Sequence, residues 1–185
     1  MSTFLVETGL TGAIGTGIVF VEAGLAKLRH RDLVPGVVAN YRLLPQAMVA
    51  PVAFALPVVE MVLGLGLIGS VFTGGALRLL GIPAAALFVV FAAAMAINIG
   101  RGRSAIDCGC GRSQLRQPLR WGLVLRNLVL AALVAVHALP PARGDAVGAI
   151  DIALAMAAGA AVFLMFLVFN ALAALAASPL ASGRS

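Results

Sequence analysis

The stretch LLGIPAAALFVVFAAAMAINI, residues 79–99, decides the fold. It carries no charge, and as a helix rising 1.5 Å per residue it matches the ~30 Å hydrocarbon core of a bilayer. Inside lipid each backbone amide must be paired within its own segment or a closed barrel, and a run this long exceeds a strand, which leaves the helix. Working outward, comparable apolar runs occupy about 9–28, 47–69, 119–139 and 149–177. Pro118 suits the first turn of the fourth, Pro51 and Pro57 are expected to bend the second, and the fifth is long enough to tilt. The 185 residues are 62% hydrophobic and 11% charged, more apolar surface than a soluble domain of that size can bury. The chain therefore reads as an all-α integral membrane protein of one domain, 1–185: a four-helix transmembrane bundle plus a fifth transmembrane helix. Residues 1–8 carry only Glu7, so the first run is expected to be a retained span and not a cleaved signal.

Net charge is +6. Most of the Arg and Lys lie in short loops beside apolar spans, which points to lipid headgroups and away from nucleic acid. Two loops stand out. Residues 29–46 are amphipathic and are expected to hold a short helix after Pro35 at the membrane surface. Residues 100–117 hold both cysteines. Both loops follow odd-numbered spans and share one face of the membrane, so the first can fold over the second as a lid.

Cys108 and Cys110 are separated by Gly109. A bridge between them closes almost no loop and would add little as a structural tie. Two adjacent thiols can instead pass two electrons as a unit. Gly109 and Gly111 permit the sharp fold such a pair needs. Arg103 and Arg112 favour thiolate, and Asp107 opposes them. Three readings compete: a redox dithiol, a soft-metal site and an inert pair. Two thiolates leave tetrahedral zinc incomplete, so no metal is expected.

Ionisable groups inside spans mark function or a buried pair. Glu22 and Arg126 lie at matching depths from the cysteine face, which predicts an ion pair between the first and fourth spans. Asn98 closes the third span, and Asn127 follows Arg126. With Tyr41 on the lid, these residues are candidates to hold the carbonyls of a quinone beneath the cysteines. The competing reading is a neutralised pair that orients helices. Glu60, about 20 Å from that face by helical rise, is read as structural, and Asn170 and His137 as packing residues.

Several segments resemble the MauE family of DoxX-related membrane proteins. These are Ala23-Gly24-Leu25-Ala26-Lys27-Leu28, Tyr41-Arg42-Leu43-Leu44-Pro45, Pro57 with Glu60 and Gly64, Asn98 through Arg101-Gly102-Arg103 to Asp107-Cys108-Gly109-Cys110, and Val124-Leu125-Arg126-Asn127. The family usually continues Cys-Gly-Cys with Phe-Gly, where this chain has Gly111-Arg112, a difference that bears on the partner surface. The resemblance implies a role in methylamine utilisation or a related maturation, with a thioredoxin-like (MauD-like) partner that forms or maintains disulfides in exported proteins. By analogy it implies the four-helix architecture of DsbB and vitamin K epoxide reductase, with a redox pair at the mouth of a quinone-binding bundle. Those proteins carry a second cysteine pair as shuttle; this chain has two cysteines in all, so the shuttle belongs to the partner.

The expected function is thus a thiol–disulfide oxidoreductase of the inner or plasma membrane. The alternative is a non-catalytic assembly factor whose cysteine loop binds metal or is structural. A transporter is disfavoured, since no internal repeat is visible. Charge counting puts the basic loops, and with them the cysteines, in the cytoplasm. Redox poise puts them outside, where a dithiol can stay oxidised, and the extracytoplasmic side is expected here.

Overall fold

The computed structural model describes residues 2–108, 118–139 and 147–175. Among the described residues six α-helices follow in order: α1 Ser2–Arg29, α2 Val34–Asn40, α3 Gln46–Thr73, α4 Gly81–Gly100, α5 Trp121–His137 and α6 Ala149–Leu175. A 3₁₀ turn, Gly75–Leu80, joins α3 to α4. α1, α3, α4 with its 3₁₀ turn, and α6 are long and apolar enough to cross a membrane, and α5 is a shorter apolar helix. The protein is a multi-pass, all-α membrane protein.

α1 is the axis. It packs on α3, α5 and α6, and far more of its apolar stretch is buried than of that in α6. Glycine permits this crowding. A Cβ on Gly64 of α3 would sit 2.7 Å from the carbonyl oxygen of Gly17 on α1, and one on Gly17 would sit 3.0 Å from that of Gly64. Backbones this close gain dispersion contacts, which drive helix association where lipid weakens the hydrophobic term. Phe20 of α1 stacks on Phe88 of α4 with ring centroids 4.4 Å apart, in a core with Leu67, Val134 and Phe166.

The end away from the cysteines is tied by polar groups. His137 Nε2 lies 2.7 Å from Ser70 Oγ, and Arg78 donates to the carbonyls of His137 and Leu139. The His137 carbonyl ends α5 and that of Leu139 lies just beyond it, so a cation there meets both an unpaired acceptor and the helix dipole.

The cysteine end is shaped by two chain reversals. α4 stops where Gly102 takes φ +71°. Gly102 N–H then donates to Ile99 and Arg103 N–H to Asn98, the paired bonds of a Schellman turn. α2, opened by Pro35 in its first turn, closes where Arg42 takes φ +50°. The two ends of the cysteine loop are pinned by a bridge between Asp107 and Pro118 and by Leu119 N–H donating to Ser104.

Candidate functional site

The Schellman turn sends Arg103 back across the end of α4. Its guanidinium donates to Asn98 Oδ1 at 3.1 Å and to the carbonyls of Asn40 at 2.7 Å and Tyr41 at 3.5 Å. One side chain thereby fastens the exit of α2 to the exit of α4. Tyr41, carried at that exit, donates its hydroxyl to the carbonyl of Cys108 at 3.0 Å. The end of the amphipathic segment thus meets the backbone of Cys108. The polar partners of Arg103 among the described residues are two carbonyls and an amide.

Beneath the lid is a cavity of about 450 Å³. Its walls come from the C-terminal end of α1, from α2, from Val52 and Leu56 of α3, and from the face of α4 between Leu87 and Met95. α3 and α4 barely touch, and Val90 lines the cavity while more than half exposed. The cavity therefore opens sideways, between two helices that face lipid. Its walls are mostly apolar, with Lys27, His30, Tyr41, Asp107 and Cys108 as the polar lining. Cys108 is 7% exposed and packs with Met95, Leu119 and Leu123. Cys110, with Gly109, Gly111 and Arg112, lies outside the described residues.

Lys27 donates to both carboxylate oxygens of Glu60, at 2.8 and 2.9 Å. Glu60 is 1% exposed, and the lysine side chain 13%. Counting residues from the span boundaries placed these two far apart in depth. The antiparallel register removes the gap: Gly24 of α1 abuts Pro57 of α3, so α3 runs well past the end of α1, and α2 covers the overrun. Lys27 was legible only as a loop-flanking charge, and this pair was not anticipated.

The predicted Glu22–Arg126 pair does not form. Arg126 donates to Asn170 on α6, and its guanidinium lies 4.7 Å from the Phe166 ring centroid and 5.9 Å from that of Phe169. Equal depth does not make equal azimuth: α5 buries Leu123, Asn127, Leu130 and Val134, and Arg126 falls on the flank that meets α6. Asn127 is buried and bonds back to Leu123. Glu22, Arg126 and Asn127 do not line the cavity. Asn98, fully buried, meets the site only through Arg103. Of the candidates, Tyr41 and Cys108 share one wall. Among the described residues no three His, Cys, Asp or Glu side chains gather as a metal site.

Fold and site define a class: a multi-pass helical membrane protein with a cysteine at the wall of a lidded cavity that opens toward lipid. The profile of the family described as methylamine utilisation protein MauE matches residues 5–140. The methylamine utilisation protein MauE of Paracoccus denitrificans is 41% identical over 98% of this chain and 97% of its own length. That of Methylorubrum extorquens is 38% identical over 83% and 80%, and that of Paracoccus versutus 40% over 80% and 77%. The chain belongs to the MauE family. No solved structure matches it.

Proposed function

We propose that this chain acts in methylamine utilisation as a membrane thiol–disulfide oxidoreductase, exchanging disulfides with a thioredoxin-like, MauD-like partner, with a quinone as electron acceptor. The observation that carries the reading is Cys108 on the wall of the cavity beneath the lid. In the exchange, a partner thiolate attacks one sulfur of an oxidised Cys108–Cys110 pair, forming a mixed disulfide and releasing the other as thiolate. The partner's second thiol then displaces the remaining sulfur. The partner leaves oxidised, and the pair holds two electrons and takes up the two protons the partner gives up.

The cavity fits a quinone by its lining: apolar walls, an N–H donor from Lys27, the ring of Tyr41, and a sideways opening. A quinone supplies, when bound, a two-electron, two-proton acceptor. Lys27 would hold it, the Tyr41 ring would cover it, and the lid would exclude water. The cysteine face is assigned to the extracytoplasmic side of the inner membrane, where a dithiol is not kept reduced by cytosolic thiols. Impermeant maleimide labelling of intact cells tests that side.

The decisive experiment is trapping. Cys108→Ser and Cys110→Ser proteins, made separately in cells, should each alter partner exchange, and one should accumulate a mixed disulfide that reductant releases. Full complementation by both variants would remove the catalytic role. Quinone reduction driven by the reduced partner in proteoliposomes tests the acceptor.

A further inference from the structure

We infer that the Lys27–Glu60 pair sets the ligand class of the cavity, with Lys27 anchoring an uncharged carbonyl-bearing amphiphile and Glu60 acting as the positioning residue that bars anionic ones. The inference rests on the quinone reading above and adds the group that holds it. A lysine ammonium has three N–H donors. Among the described residues, the hydrogen bonds of Lys27 both go to Glu60, and the same side chain lines the cavity. One donor is left for a guest. Its charge is already balanced by a carboxylate that is 1% exposed.

This charge state decides what fits. A lone ammonium in an apolar pocket would draw a fatty-acid carboxylate or a lipid phosphate, because desolvated opposite charges attract strongly. A balanced pair offers little net field. An incoming anion would meet Lys27 with the Glu60 carboxylate directly behind it, so the repulsion of Glu60 offsets the attraction of Lys27. A carbonyl oxygen accepts the spare N–H and brings no charge, and its apolar body rests on Val52, Leu56, Leu87 and Phe91. The pair thus works as a donor with its electrostatic attraction cancelled.

The test uses the full chain purified in detergent, with calorimetric binding of two probes: a short-tailed benzoquinone and a saturated fatty acid of matching length. The wild type should bind the quinone and prefer it to the fatty acid. Glu60→Gln unmasks the ammonium, and affinity for the fatty acid should rise by about tenfold while quinone affinity changes little. A single Lys27 substitution would strand a buried carboxylate, so the donor is removed in the Lys27→Met/Glu60→Gln double variant, which keeps the side-chain bulk. Its quinone affinity should fall by about tenfold, with fatty-acid binding unimproved. Quinone affinity unchanged in the double variant, or no gain for the fatty acid in a folded Glu60→Gln protein, overturns the inference and leaves the quinone reading standing. A wild type that binds no quinone overturns both.

Discussion

The hydroxyl of Tyr41 donates to the carbonyl oxygen of Cys108 at 3.0 Å, joining the end of the lid helix to the backbone that carries the cysteine. Chemistry that rearranges this backbone must disturb the bond, and loosening the lid must free the backbone. Tyr41→Phe keeps the ring and removes the donor. A net hydrogen bond contributes about 1 kcal/mol, so the rate at which reduced Cys108 reacts with a small maleimide should rise by about fivefold. The check is timed labelling of the detergent-purified protein, with peptide mapping to separate Cys108 from Cys110.

Arg103 holds the same junction from the other side. Its bonds to Asn98, Asn40 and Tyr41 use the planar fork of the guanidinium, which lysine cannot reproduce. Arg103→Lys and Arg103→Leu should both expose the segment after α2 to limited proteolysis, and both should lower stability by about 2 kcal/mol. A lysine variant as resistant as wild type would mean that charge alone holds the lid.

The α1–α3 contact makes a prediction with an internal control. Gly64→Val drives a branched side chain into the Gly17 carbonyl and Val21, and overpacking of this kind costs about 1–3 kcal/mol. Gly69→Val, one and a half turns along the same helix, meets nothing within 4 Å and should leave the melting temperature within a degree or two. Thermal unfolding in one detergent separates them.

Arg126 should matter for assembly and not for the cavity. Arg126→Met removes the bond to Asn170 and the stacking on Phe166 and Phe169, and the melting temperature should drop by an amount near 2 kcal/mol of stability. Cysteine labelling rates should match wild type. Loss of quinone binding in a folded Arg126→Met protein would return this residue to the site.

The spans were legible because lipid imposes a length and a composition on any helix that crosses it. The lid helix was legible because Pro35 opens it and its flanks are charged. The residues that hold the lid were harder to see. Arg103 reaches Asn98 and Tyr41 only because Gly102 reverses the chain, and a glycine among arginines does not announce the direction of that turn. Lys27 and Glu60 were hidden by the assumption that every span starts at one plane, which the overrun of α3 breaks. The error over Glu22 and Arg126 is of the same kind: depth follows from residue number, but the direction a side chain faces depends on how each helix is rotated against its neighbours.

The gap between α3 and α4 has a practical consequence. A guest that enters through it comes from the fatty phase and never has to dissolve in buffer. Occupancy then follows how many guest molecules there are per lipid or detergent molecule, not per litre. Adding empty vesicles should strip the cavity, whereas adding water should leave it filled.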